Sequence, residues 1–141
     1  MHNQTEDKTE NICGYTKKEI AEKAAYWWAS QLGQTDADAG DESLSAISRE
    51  YRQEAALDVN EKNRQQFQKV LELLILVSKP VIVSVDYDPD EILSLSLSKA
   101  RIMCCEALPI KSVTRIDWNT GEISARLGRG GEWTCIQNPK T

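Results

Sequence analysis

The chain has 141 residues, 40% hydrophobic and 28% charged, a mixture that fits one folded domain and excludes a disordered polar chain. Its formal net charge of -5 argues against charge-driven binding to nucleic acid. The acidity is uneven: residues 1–60 carry twelve acids and six bases, residues 61–141 ten acids and eleven bases, so an anion site is expected in the C-terminal half.

Residues 1–14 are polar and are expected to form a disordered tail. They lack the apolar run of a signal peptide, and the longest apolar stretch, Leu73 to Val77, falls far short of a membrane span. A cytoplasmic protein without membrane contact is therefore expected, with its four cysteines reduced.

Thr16 and Glu19 have the spacing of a capping box, which starts a helix. That helix should run to about Leu32, stop at Gly33, and show Ile20, Ala24, Trp27, Trp28 and Leu32 on one face. An acidic loop follows, with Asp36, Asp38, Asp41 and Glu42. It departs from a calcium loop because its central glycine is out of register and the closing position, twelve from Asp36, is Ile47. A second helix is expected over roughly Leu44 to Leu57. A third, capped by Asn60, carries Phe67, Val70, Leu71, Leu74 and Val77 and ends before Pro80.

The period then changes to two. Val81, Val83, Val85 and Tyr87 alternate with Ile82, Ser84 and Asp86, the pattern of a strand. Asp88 as N-cap and Pro89 as first helical residue predict a fourth helix to about Met103. Ile110–Trp118 and Glu122–Leu127 form a hairpin around Asn119-Thr120-Gly121, and Glu132–Gln137 adds a short strand. Residues 15–137 thus read as a single α+β domain: N-terminal helices, then a β-α-β-β unit forming a small, mainly antiparallel sheet. Residues 138–141 read as a frayed end.

Chemistry is narrowed mostly by exclusion. The lone histidine, His2, lies in the tail, where no fold places it for a nucleophilic triad or a histidine-rich zinc site. Cys13, Cys104, Cys105 and Cys135 lack Cys-x-x-Cys spacing and read as structural thiols, with Cys13 before a helix start as the alternative reactive one. No cofactor, metal or catalytic residue is expected. Tyr26-Trp27-Trp28 reads as core packing or as an interface anchor. Asp86, Asp88, Asp90 and Glu91 gather where strand meets helix; capping accounts for all but Asp86, which stays open as a general base or a solvent-facing acid. Gly128-Arg129-Gly130-Gly131 lacks the helix that a phosphate loop opens into.

The remaining group is Lys111, Arg115, Arg126 and Arg129. If Asp117 pairs with Glu122 across the turn, Arg115, Ser124 and Arg126 share one sheet face and Ile116 and Ile123 the other. The cations then either pair with Asp117 and Glu122 or, together with Asp86, form a ligand or partner site.

Several strings also resemble a loose group of small bacteriophage and prophage proteins. They are Ala21-Glu22-Lys23-Ala24-Ala25-Tyr26-Trp27-Trp28-Ala29, the Gly40-Asp41 loop, Val83-Ser84-Val85-Asp86-Tyr87-Asp88-Pro89-Asp90 and Gly128-Arg129-Gly130-Gly131-Glu132-Trp133. Lys111 and Trp118 match a stretch of that group, while Ile110 stands where it has an aromatic. The resemblance touches roughly residues 16–136. It implies an accessory protein that inhibits a bacterial defence system, such as CRISPR–Cas, by associating with a host protein or ribonucleoprotein in the host cytoplasm. The alternative from the residues is a small nucleotide-binding or nucleotide-cleaving protein using Asp86 and the arginines.

Overall fold

The computed structural model describes residues 14–33, 59–102 and 107–139, together with Ile47 and Glu50, both helical. The polar tail, the acidic loop, most of the second expected helix and the Cys104–Cys105 pair lie outside the described residues. Within them the chain is α+β, with three helices and a four-stranded antiparallel sheet.

Helix α1 (Lys17–Gln31) opens on the expected capping box: the Glu19 amide donates to the Thr16 hydroxyl at 3.0 Å, and the Thr16 amide to the Glu19 carboxylate at 2.8 Å. It stops at Gly33, which adopts φ 79° and donates its amide to the Ala107 carbonyl. Helix α2 (Glu61–Ser78) is capped reciprocally by Asn60 and Asn63 and ends at Lys79, left-handed at φ 48°. The Arg64 guanidinium of α2 donates to the Ala29 and Leu32 carbonyls, so a cation closes the C-terminus of α1.

The buried line of α2 is narrower than its apolar sequence. Phe67, Leu71 and Ile75 are buried, whereas Val77, expected on that line, is 70% exposed. Helix α2 packs on α1 and on α3, and Leu73 and Val77, turned away from its buried line, are exposed.

Strand β1 (Ile82–Val85) leads into helix α3 (Glu91–Lys99) by a route that corrects the expected cap. Asp90, not Asp88, caps α3, through one carboxylate oxygen on the Leu93 amide at 3.0 Å. Its other oxygen accepts from the Ser84 amide at 2.8 Å. Pro89 is not helical because it bridges back to Val85, drawing the turn against the edge of β1. The helix also ends short of Met103, at Lys99, with Arg101 left-handed at φ 62°.

Strands β2 (Ser112–Ile116), β3 (Ile123–Arg126) and β4 (Thr134–Gln137) complete the sheet in the order β1-β2-β3-β4. Ile116 pairs with Ile123, and the Asp117 amide donates to the Glu122 carbonyl, the register expected from the alternation. Gly121 closes this turn at φ 81°, and a Cβ there would fall 2.1 Å from the Tyr15 ring, so glycine is required.

The inner face of the sheet, with Val83, Val85, Ile116, Ile123 and Ala125, merges with Ile20, Trp28, Leu71 and Leu93 into one core. Trp28 is fully buried, and its indole N–H donates to the Thr114 hydroxyl at 2.9 Å. Trp27 packs edge-on against it, centroids 4.9 Å apart, and stays half-buried. No helix among the described residues is long and apolar enough to cross a membrane.

Candidate functional site

Strand alternation decides which side chains face outward. With Val83, Thr114, Ile116, Ile123 and Ala125 turned to the core, Ile82, Ser84, Val113, Arg115, Ser124 and Arg126 must point to the other face. Among the described residues no helix packs on that face, and it carries a groove of about 350 Å³. Ile82, Asp86, Lys111, Arg115, Arg126 and Trp133 are among its lining residues.

One end of the groove is an ion pair. Lys111, at φ 58°, donates its amide to the Asp86 carbonyl at 2.8 Å, which brings the two side chains together. Its ammonium pairs with the Asp86 carboxylate and lies 4.4 Å from the centre of the Tyr87 ring. Arg129 does not line the groove. It reaches the back of this cluster, donating to the Tyr87 hydroxyl at 2.8 Å.

The other end is built on Trp133, which the sequence argument did not single out as a site residue. Gly128, at φ 79°, donates its amide to the Ser112 hydroxyl, and the Gly131 amide returns to the Gly128 carbonyl. A Cβ on Gly131 would lie 2.1 Å from the Leu127 carbonyl oxygen, so this turn too needs glycine. The turn sends β4 back along β3 with Thr134 opposite Ala125 and thereby brings Trp133 to the arginines. The Arg115 guanidinium lies 4.4 Å, and that of Arg126 5.5 Å, from the centre of the Trp133 ring. Laying residues 132–137 antiparallel against 122–127 exposes this contact, but no local pattern in the sequence names the pairing partner of that last strand.

Neither arginine is neutralised within the described residues. The Asp117 carboxylate accepts instead from the Asn119 and Thr120 amides of the hairpin turn, and Glu122 forms no ion pair there. The Nε of Arg126 is buried and has no hydrogen-bond partner among the described residues. Three cations, Lys111, Arg115 and Arg126, face the single carboxylate of Asp86, leaving a net charge of +2 in the groove. Four of the five expected site residues therefore meet in one place.

The acids that close the strand-to-helix turn divide. Asp90 is occupied by capping and by Ser84, Asp86 by Lys111, and Asp88 is exposed. Cys135 is exposed on β4 opposite Ser124, its thiol 3.4 Å from the Asn138 side-chain oxygen. Beside the groove, Arg115 also borders a second hollow of about 380 Å³ with Val81, Trp118 and Ser124. Val81 in this hollow and Ile82 in the groove are both more than half exposed.

No protein-family model matches this chain, and no curated protein matches it.

Proposed function

We propose that the protein acts by stoichiometric binding, with the open face of the sheet as its contact surface. The observation that carries this reading is the Arg115–Trp133–Arg126 cluster, whose cations no described carboxylate neutralises. Arginine and tryptophan are the side chains that anchor interfaces, and the exposed Val81 and Ile82 beside them add the apolar area such a contact needs. The Lys111 ion pair on Asp86 favours binding over general-base cleavage at that carboxylate.

The partner we propose is a host protein or ribonucleoprotein of a bacterial defence system such as CRISPR–Cas, met in the host cytoplasm. This part rests on the resemblance of residues 16–136 to phage and prophage accessory proteins. The nucleotide-binding reading has one observation of its own, the groove's surplus of positive charge.

Expression in a bacterial host with an active CRISPR–Cas system, followed by plaque counts of a targeted phage, tests the proposal. Plaques should return, the purified target should form a complex of fixed ratio, and the Arg115→Glu/Arg126→Glu double variant should be folded but inactive. Protection by far less protein than target would show turnover and sink the stoichiometric mechanism. Failure to restore plaques against the defence systems tested would sink the choice of partner.

A further inference from the structure

We infer that the groove beside Trp133 binds a phosphomonoester, with the phosphate on Arg115 and Arg126 and the organic part on the apolar wall of Ile82 and Val113. The inference rests on the open face being a binding surface and adds a small ligand held in the groove within it.

Charge comes first. The groove's net +2 matches a phosphomonoester, which carries about -1.5 to -2 near neutral pH, whereas a single carboxylate would leave it half compensated. Geometry comes second. The exposed Arg115 guanidinium, held over the indole, keeps N–H groups for a ligand, and paired N–H groups of this kind grip two oxygens of a phosphate. The stack also holds the side chain before the ligand arrives, which lowers the ordering cost of binding.

Arg126 supplies a third, independent argument. Among the described residues its Nε is a buried donor without a hydrogen-bond partner, an arrangement proteins rarely leave unmatched. An anion held by the outer N–H groups of the same guanidinium would compensate the charge that this unmatched burial leaves. Size and sign then limit the ligand. A space of about 350 Å³ is at the small end for ligand sites, and the Lys111–Asp86 ion pair leaves no further unpaired cation there for a second anionic group. Together with the chain's net charge of -5, this favours one phosphate on a small organic body over a polyphosphate or a nucleic-acid strand.

The test is a titration of the full-length ¹⁵N-labelled protein, following the Trp133 indole N–H resonance, assigned by its loss in Trp133→Phe. The probes are phenyl phosphate, adenosine monophosphate, inorganic phosphate, adenosine and a glutamate tripeptide. Phenyl phosphate and adenosine monophosphate should give saturable shifts and bind at least about tenfold tighter than inorganic phosphate. Adenosine should not bind. Arg115→Gln and Arg126→Gln should each weaken binding by about tenfold or more. Because Arg115 is exposed, its variant keeps the test valid even if Arg126→Gln disturbs the fold.

The inference is overturned if neither phosphomonoester gives a saturable shift. It is overturned equally if the shift survives both arginine substitutions, or if the glutamate tripeptide binds tighter than either ester. The plaque assay separates this failure from that of the proposed function. Lost activity in the Arg115→Glu/Arg126→Glu variant with no ester binding removes only the ligand. Ester binding with no effect on any defence system removes only the macromolecular partner.

Discussion

On the inner face of the sheet Thr114 is fully buried, and its hydroxyl accepts from the Trp28 indole while donating to the Val83 carbonyl. On the outer face, across β2 and β3, Arg126 has a buried Nε with no acceptor, and Arg115 has no carboxylate among the described residues. The two faces come from the same strands and the same alternation. The inner one satisfies its polar groups internally and serves stability; the outer one leaves donors and charge unmatched among the described residues, the feature on which the proposed contact surface rests. Substitutions on the two faces should therefore differ in sign as well as in size.

The largest effect belongs to the inner face. Trp28→Ala removes the most voluminous buried side chain and strips Thr114 of its donor. Urea denaturation should show a loss of about 3–5 kcal/mol. A loss under about 1 kcal/mol would mean that the core closes without this indole and that the contrast between faces is weaker than drawn.

Asp90→Ala should come next. Its two carboxylate oxygens cap α3 and hold the Ser84 amide at the edge of β1, so one substitution frees two backbone donors. The expected loss is about 1–2 kcal/mol by denaturation. Asp88→Ala, on the residue that the sequence nominated as cap, should change stability by no more than about 0.5 kcal/mol.

That pair of aspartates shows where the sequence was legible and where it was not. Hairpin register was readable because Ile116, Ile123 and Ala125 alternate on both arms of a short turn, and a one-residue slip would expose all of them. The arginine face followed from the same register. The cap was not readable, because Asp88-Pro89 and Asp90-Glu91 both carry helix-start chemistry. The choice was made by Pro89 pairing back to Val85, a contact outside the local pattern. Trp133 was missed for the same kind of reason: it joins the site only through the pairing of β4 with β3, beyond a glycine turn. The exposure of Val77 depended likewise on which side of α2 its neighbours occupy.

Arg126→Met should move stability in the opposite direction from Trp28→Ala. It keeps the length and apolar stem of the side chain while removing a buried donor that has no partner. Denaturation should show no loss, or a gain of up to about 1 kcal/mol, while phenyl phosphate binding disappears. A clear loss of stability would show that the guanidinium supports the fold, and the outer face would then resemble the inner one.

Asp86→Asn is the smallest perturbation and separates the most. The carboxylate is 72% exposed, so its ion pair with Lys111 is screened by water, and folding stability should shift by no more than about 0.5 kcal/mol. If the groove binds the ester, the substitution removes the one negative charge among its described lining residues, so the affinity for phenyl phosphate should rise a few-fold and rise most at low salt. In an enzyme that used Asp86 as a general base, the same change would lower the rate by orders of magnitude. The two mechanisms thus predict opposite directions for one atom exchanged. Titration of the Trp133 indole resonance and the plaque assay on the same preparation read both directions. Tighter ester binding with undiminished defence inhibition upholds an open face built to bind. Loss of activity in a folded Asp86→Asn protein, with the wild type turning over a nucleotide, transfers the site to catalysis.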